Sequence, residues 1–294
     1  MLLTIIVPSL NQGRFLRRCL DSILAQEHRP FEVIVADGGS SDGTVAILEE
    51  YAARHPELKW KSERDAGPAD AVNKGLALAK GAVAGIQSAD DVYLPGAFAV
   101  VARAFAADPE CGLLIGNCEG ITADDRVLYT SSLPEFSWEA YFGLALCIPQ
   151  SSIFFRMDVA HAAGGWNGKY FACDLDYWLR LMLRTKSKHI PDVLSGWRIY
   201  GEQRTFSGQE RKIWEGYWLM IEDCDELKRA PQRVRRLARA SRHIFALSHH
   251  PTGNPWALRW HALLGLLQHP TFWRYQRREQ LLRLLPGRLR AATT

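Results

Sequence analysis

The chain has 294 residues, of which 47% are hydrophobic and 23% charged, and its formal net charge is +4. This composition can bury a sizeable core and excludes a disordered or low-complexity protein. No window reaches the roughly 18 apolar residues of a membrane span, the opening run is too short and lacks the basic leader of a signal peptide, and six scattered cysteines without a CxxC pair signal neither zinc nor a disulfide framework, so a reduced, cytoplasmic setting is expected.

The β-branched run Leu2 to Val7 predicts a central first strand, ending at Pro8 and the polar loop Ser9 to Gly13. Phe15, Leu16, Cys19, Leu20, Ile23 and Leu24 recur at helical spacing. Phe31 to Ala36 reads as a second strand running into Asp37-Gly38-Gly39-Ser40, and Val45 to Tyr51 as a helix with Ser41 or Asp42 as its N-cap. A short strand, Leu58 to Ser62, precedes the loop Glu63 to Pro68. The helix from Ala69 is expected to end near Lys80-Gly81 on a left-handed glycine cap. Val83 to Gln87 forms a fourth strand, followed by Asp90-Asp91 and a helix from Pro95 to about Ala107. Four strand–helix units in about a hundred residues predict an α/β fold with a parallel, doubly wound sheet, its strand ends gathered on one edge.

Regularity falls after that. Leu113 to Asn117, Val127 to Thr130, Ser151 to Arg156 and Val193 to Tyr200 read as strands. Ser137 to Leu146 and the segment through Leu183 read as helices. From Gln209 the pattern is helical. Residues 228–294 hold fourteen Lys and Arg against one acid, Glu279, with Trp, Phe and Leu interleaved, so an acidic body carries a basic tail. Such a tail suits either an anionic membrane surface or packing of its apolar stripe on the main domain. No recognised motif accompanies the charge, and nucleic acid is not expected as a partner.

Three polar loops thus share one sheet edge with the paired carboxylates Asp90 and Asp91. Neither GxGxxG nor GxxxxGK[ST] is present, which disfavours dinucleotide and P-loop binding. A carboxylate-rich edge with no phosphate cradle of its own calls for a divalent cation to neutralise a phosphate, although adjacent Asp residues also serve turns.

Thr4 to Asn11, Val33 to Thr44, Asp65-Ala66-Gly67 with Asp70 to Gly75, and Ser88-Ala89-Asp90-Asp91 resemble, in order and spacing, the blocks of family 2 inverting glycosyltransferases of the GT-A fold. The resemblance covers about residues 1–205. It implies a GT-A domain, a Rossmann-like mixed sheet with helices on both faces, over residues 1–208, with a nucleotide-sugar half (1–110) and an acceptor half (111–208), followed by a C-terminal helical appendage, the basic amphipathic region (209–294). It also implies a nucleotide-diphosphate-sugar donor. Asp37 matches the acidic residue that bonds the base; Pro8, Ser9 and Asn11 line the nucleotide pocket; Asp65 lies near base and ribose. Asp91 matches a direct ligand of Mg²⁺ or Mn²⁺, and Asp90 faces the ribose or sugar. Asp174 matches the catalytic base that takes the acceptor proton, with Asp176 as the alternate and helix capping as its other role. A tyrosine, Tyr200, stands where the family often has histidine. That weakens any metal contact there, so Tyr200, Arg198 and Arg204 are candidate diphosphate contacts. The acceptor implied is a saccharide or a polyprenyl-linked saccharide in bacterial surface polysaccharide assembly. The location implied is cytoplasmic, peripheral on the inner face of the inner membrane. A catalytically silent nucleotide- or partner-binding module is the rival reading; a nucleotidyltransferase would carry a basic glycine-rich loop after the first strand, which is absent.

Overall fold

The computed structural model describes residues 1–143, 149–203, 208–249 and 255–269. Contacts divide the chain into two units. The first comprises Met1–Ser132, Ile148–Lys169 and Tyr177–Tyr200, and the second Leu133–Cys147, Tyr170–Asp176 and Gly201–Thr294. The division differs from the expected border at residue 208, because residues 133–147 and 170–176 group with the C-terminal helices.

The first unit opens with the expected alternation: β1 (Leu3–Ser9), α1 (Gly13–Leu24), β2 (Phe31–Asp37), α2 (Thr44–Ala52), β3 (Leu58–Ser62), α3 (Pro68–Leu78) and β4 (Val83–Ile86). These four strands run parallel in the order β3-β2-β1-β4. Leu3, Ile5 and Val7 of β1 are buried with Leu16, Leu20 and Ile23 of α1 and with Val33 and Val35 of β2, as expected of strands covered on both faces. Helix α3 lies so close to β1 that a Cβ on Gly75 would stand 2.4 Å from Ile6 Cγ2. Gly81 is no left-handed cap. A Cβ there would come within 2.6 Å of Thr4 Oγ1, so the residue is small because β1 passes beside it. The N-cap of α2 is Gly43, at φ 92°, rather than Ser41 or Asp42.

Then follow β5 (Val92–Tyr93), α4 (Ala97–Ala107), β6 (Cys111–Ile121), β7 (Val127–Thr130), α5 (Trp138–Phe142, in the second unit), a 3₁₀ turn at Gln150–Ser152, β8 (Ile153–Arg156), α6 (Met157–Ala163), α7 (Cys173–Arg184) and β9 (Lys186–Arg198). Strand β8 runs antiparallel between β4 and β6, so the sheet is mixed, as the GT-A resemblance implies, and not the parallel sheet that the first four strand–helix units alone predict. Its order is β3-β2-β1-β4-β8-β6-β9-β5, with β7 on β6. Strand β9 starts seven residues before the expected Val193; the polar run Lys186 to His189 and Pro191 hide it from a pattern reading. Strand β5 is too short to show a period, and α4 starts at Ala97 after Gly96 at φ 79°, not at Pro95.

The second unit contains α5, α8 (Glu210–Asp223), α9 (Asp225–Arg229), α10 (Gln232–His249) and α11 (Pro255–Gln268). Ser137 Oγ caps α5 by accepting from the Ala140 N–H at 3.1 Å. Val234, Leu237, Ala238, Ile244 and Phe245 form the buried face of α10. Phe245 stacks on Tyr217 of α8 with ring centroids 4.0 Å apart, and Gly265 of α11 comes close to Ile244. Arg233 pairs with Glu139, tying α10 to α5. On α11, Trp256, Trp260, Leu263 and Leu267 recur at helical spacing and are exposed. No described helix is long and apolar enough to cross a membrane.

Candidate functional site

The parallel register places Ser9, Asp37 and Ser62 in one row across the carboxyl ends of β1, β2 and β3. Asp37 is buried and holds the loop after β2. Its Oδ2 accepts from the Gly39 and Ser40 N–H groups at 3.1 and 2.9 Å and from Ser62 Oγ at 2.6 Å, and its Oδ1 accepts from Ser40 Oγ. The Asp65 carboxylate lies against Gly38, where a Cβ would meet Oδ2 at 2.8 Å, so Asp65 stands beside the Asp37 loop. Asn11, at φ 52°, stitches the first loop to the second: its N–H donates to Ser40 Oγ at 2.7 Å and its Oδ1 accepts from the Ser41 N–H at 2.9 Å. Asp42 accepts from the Gly13 N–H at 2.8 Å and from Thr44. Burial opposes its charge, but these donors outweigh burial and hold the carboxyl below its usual range. Ser9 Oγ and both ends of the Gln87 amide are buried with no hydrogen-bond partner among the described residues. Polar atoms held dry at a strand edge fit a polar ligand that would complete them.

Asp90 and Asp91 follow β4 and are braced from β9. The Arg198 N–H donates to Asp91 Oδ1 at 2.8 Å, and the Tyr200 hydroxyl donates to Asp90 Oδ2 at 2.8 Å. Arg198 is 1% exposed. Its Nε donates to the Asp90 carbonyl at 2.6 Å, its Nη1 to the carbonyls of Thr122 and Ala123 at 2.9 and 3.0 Å, and its Nη2 pairs with Asp125 at 2.6 Å. The expectation that Arg198 grips a diphosphate changes accordingly: its guanidinium faces into the protein and is used up on protein groups. Tyr200 is likewise committed to Asp90, and Arg204 lies outside the described residues. Burial and the neighbouring Asp90 carboxylate push Asp91 well above the usual carboxylate range, against the Arg198 and Ser151 contacts that lower it.

Among the described residues no three His, Cys, Asp or Glu side chains group to hold a metal. The two carboxylates still fit a hard cation. Mg²⁺ is commonly held by one or two carboxylates plus substrate phosphates and water, and Asp90 Oδ1 makes no hydrogen bond among the described residues. A bound cation would also offset the repulsion between the two adjacent carboxylates, of which Asp91 is buried.

Asp174 and Asp176 lie on the first turn of α7, where the helix dipole favours carboxylate charge. Both belong to the second unit. Asp176 is buried, and its charge helps raise Tyr170 to about 12, after the larger effect of burial and that of Asp223. Asp174 is the more accessible of the two. Burial, then Tyr217 and Asp174, raise Tyr141 well above the usual phenol range.

Several supports of the site carry no signature in the sequence. Asn73 clamps the loop before α7, donating to the Trp166 carbonyl at 3.0 Å and accepting from its N–H at 2.7 Å. Buried Arg180 donates to the Ala163 and Gly165 carbonyls. Asp125 anchors Arg198. Only the Asp70 to Gly75 block, which contains Asn73, hinted at such a role.

The model of the glycosyl transferase family 2 matches residues 4–161, the stretch that carries β1 to β8 and the Asp pair. The chain belongs to that family. The chain is 27% identical over 205 residues to the chondroitin synthase of Escherichia coli, covering 68% of this chain and 29% of the synthase. It spans a still smaller share, 21%, of the chondroitin and hyaluronan synthases of Pasteurella multocida. It is 29% identical over 244 residues to the PGL/p-HBAD biosynthesis glycosyltransferase of Mycobacterium bovis, covering 79% of this chain and 85% of that one. The fold resembles that of Staphylococcus aureus TarS 1-349 solved with UDP-GlcNAc, with a TM-score of 0.71 at 17% identity over 99% of this chain and 85% of TarS 1-349. It also resembles the Pyrobaculum calidifontis mannosyltransferase PcManGT solved with GDP-Man and Mn²⁺, with a TM-score of 0.66 at 20% identity over 99% and 80%. The glycosyltransferase thus has the expected GT-A fold, a mixed sheet with helices and a C-terminal helical appendage.

Proposed function

We propose that this glycosyltransferase is inverting and divalent-metal-dependent. It moves a sugar from a nucleoside-diphosphate sugar to a saccharide or polyprenyl-linked acceptor in bacterial surface polysaccharide assembly. The observation that carries the reading is the Asp90–Asp91 pair, held at the end of β4 beside loops that leave Ser9 and Gln87 unsatisfied. Asp37 and Asp65, with Pro8, Ser9 and Asn11, bind the nucleoside. Asp91 would hold Mg²⁺ or Mn²⁺, with Asp90 facing the ribose or sugar, and the cation, when bound, would stabilise charge on the departing diphosphate. The acceptor oxygen attacks the anomeric carbon as the bond to the diphosphate breaks. The hydroxyl proton passes to the Asp174 carboxylate, with Asp176 as the alternate, and the nucleoside diphosphate leaves. The synthase relatives and the two structures with bound sugar nucleotides support the donor class and the polymer context.

The test is a thermal-shift screen over nucleotide sugars with and without Mn²⁺ or Mg²⁺, since a bound donor raises stability by mass action, followed by assay of donor turnover. Metal-dependent stabilisation by one donor and its turnover are expected. Binding without hydrolysis or transfer would favour the silent-module reading instead.

The C-terminal region supports a peripheral site on an anionic membrane surface, at the cytoplasmic face of the inner membrane, through residues 228–294. Trp256, Trp260, Leu263 and Leu267 line the exposed side of α11, and Arg229 of α9 and Arg236 of α10 stand exposed. Flotation with anionic vesicles that weakens with salt is expected; no flotation would end this part of the reading.

A further inference from the structure

Helix α10 places Arg235, Arg239 and Arg242 at i, i+4 and i+7, a single stripe of like charge. The stripe lines a cleft of about 300 Å³ together with Lys228, Leu227, Ile221 and Glu222. Four cations therefore face one carboxylate there. That carboxylate is already taken: Glu222 Oε1 accepts from Arg242 Nη1 and from Trp218 Nε1. Arg242 is clamped in place, its guanidinium 4.4 Å from the Trp218 ring centroid, yet its Nε is buried with no hydrogen-bond partner among the described residues. The only described contact of the Arg235 head is 3.4 Å from the Lys228 carbonyl, and the Arg239 head meets no described acceptor. Lys228 keeps the acid of its own helix, Asp225, at 2.8 Å.

Like charges at i, i+4 repel, and a surface helix ordinarily answers them with carboxylates. Here Glu222 answers Arg242 and Asp225 answers Lys228, while among the described residues no carboxylate meets the heads of Arg235 and Arg239, which line the same concavity. Guanidinium forks in such an arrangement match the oxygens of a phosphoryl group, which several of them can contact at once.

We propose that the α8–α9–α10 cleft is a second anion site that binds a phosphoryl group, as a phosphate ester or a diphosphate, separate from the donor site at Asp90 and Asp91. It lies wholly in the second unit and needs no metal. The group could come from a phospholipid headgroup or from a soluble or acceptor-borne phosphate; the chemistry that recognises it is the same, and the test separates the sources.

The experiment titrates the full chain with inorganic pyrophosphate by calorimetry in EDTA. It compares wild type, the double variant Arg235→Gln/Arg239→Gln, and the control Arg236→Gln, which removes one exposed α10 charge outside the cleft. Saturable binding that weakens about tenfold in the double variant and stays near wild type in the control is expected, each lost charge-assisted contact being worth a sizeable part of a tenfold step. Equal binding by all three proteins, or no saturable binding by wild type, overturns the proposal. All three proteins should unfold at the same temperature, because the substituted heads are exposed. Flotation with phosphatidylglycerol vesicles then assigns the source. Flotation lost in the double variant identifies a headgroup. Flotation retained, with pyrophosphate binding lost, identifies a soluble or acceptor phosphate. Vesicle binding through α11 would survive loss of the cleft, so failure of this proposal and failure of the membrane reading give different results.

Discussion

Replacing Arg198 with lysine separates two roles that a positive charge near a diphosphate site could have. Arg198 is 1% exposed and spends its guanidinium on the Asp90, Thr122 and Ala123 carbonyls and on Asp125. Lysine keeps the charge but concentrates its donors on one nitrogen, so it cannot span carbonyls that lie on both sides of a planar fork. At least two of the four contacts are lost. Asp125 keeps a partner in Arg18 at 2.6 Å, which limits the damage. With hydrogen bonds to charged groups worth about 1.5–3 kcal/mol each, Arg198→Lys should cost about 3 kcal/mol. At roughly 2–4 °C per kcal/mol for a domain of this size, the melting midpoint should fall by about 9 °C. Thermal and urea unfolding measure that loss, and donor KM is measured on the fraction still folded. A midpoint within about 1 °C of wild type with a strongly raised donor KM would refute the reasoning and restore Arg198 as a phosphate contact.

The remaining predictions concern the chemistry and the supports. Asp174→Asn should leave donor binding intact and abolish transfer; transfer retained at wild-type rate removes Asp174 as the base. Asp91→Asn should weaken metal-dependent donor binding while making the metal-free protein no less stable, since it removes a buried carboxylate beside another; unchanged metal dependence in the thermal shift breaks the ligand assignment. Gly165→Ala would put a Cβ 2.2 Å from Asn73 Oδ1 and push apart the Asn73–Trp166 pair, costing about 2 kcal/mol by overpacking, read as a lower urea midpoint. His243 is lowered to about 4 by burial, by His261 and by Arg242, so it is neutral when folded and takes up a proton more readily when unfolded. Its contribution is complete above pH 6.5 and is lost as pH falls towards 4, by about 1 kcal/mol after allowance for solvent; His243→Gln should flatten that part of the stability curve, and an unchanged slope contradicts the assignment.

The half of the fold built from β1 to β4 was legible because its central strands, β1 and β2, are β-branched runs and α1 shows a clear apolar stripe. Both follow from burial on both faces, which a one-dimensional pattern records. The later half obeys other constraints. β9 is polar where it begins at Lys186 and contains Pro191, so neither hydropathy nor propensity marks it, and it forms because β6 offers a partner along its length. β5 has two residues and exists only through pairing with β9. Such strands are tertiary in origin, and no local signal announces them.

The same limit governs the site. Sequence spacing identified which residues gather at the sheet edge, because parallel register alone brings Ser9, Asp37 and Ser62 into line. It did not reveal the direction in which a side chain points. Arg198 and Tyr200 read alike as groups for a diphosphate, yet one turns inward to hold the Asp90–Asp91 loop by its carbonyl and the other donates to Asp90 itself. The distinction matters physically. Two adjacent carboxylates, one fully buried, repel each other and resist desolvation, so the pair persists only if something fixed opposes both effects. Arg198 supplies part of that opposition from behind, through its backbone N–H on Asp91 and its charge. Because the brace does not neutralise the pair, Asp91 stays above the ordinary carboxylate range, and a cation bound beside the pair, as proposed, would favour its charged form.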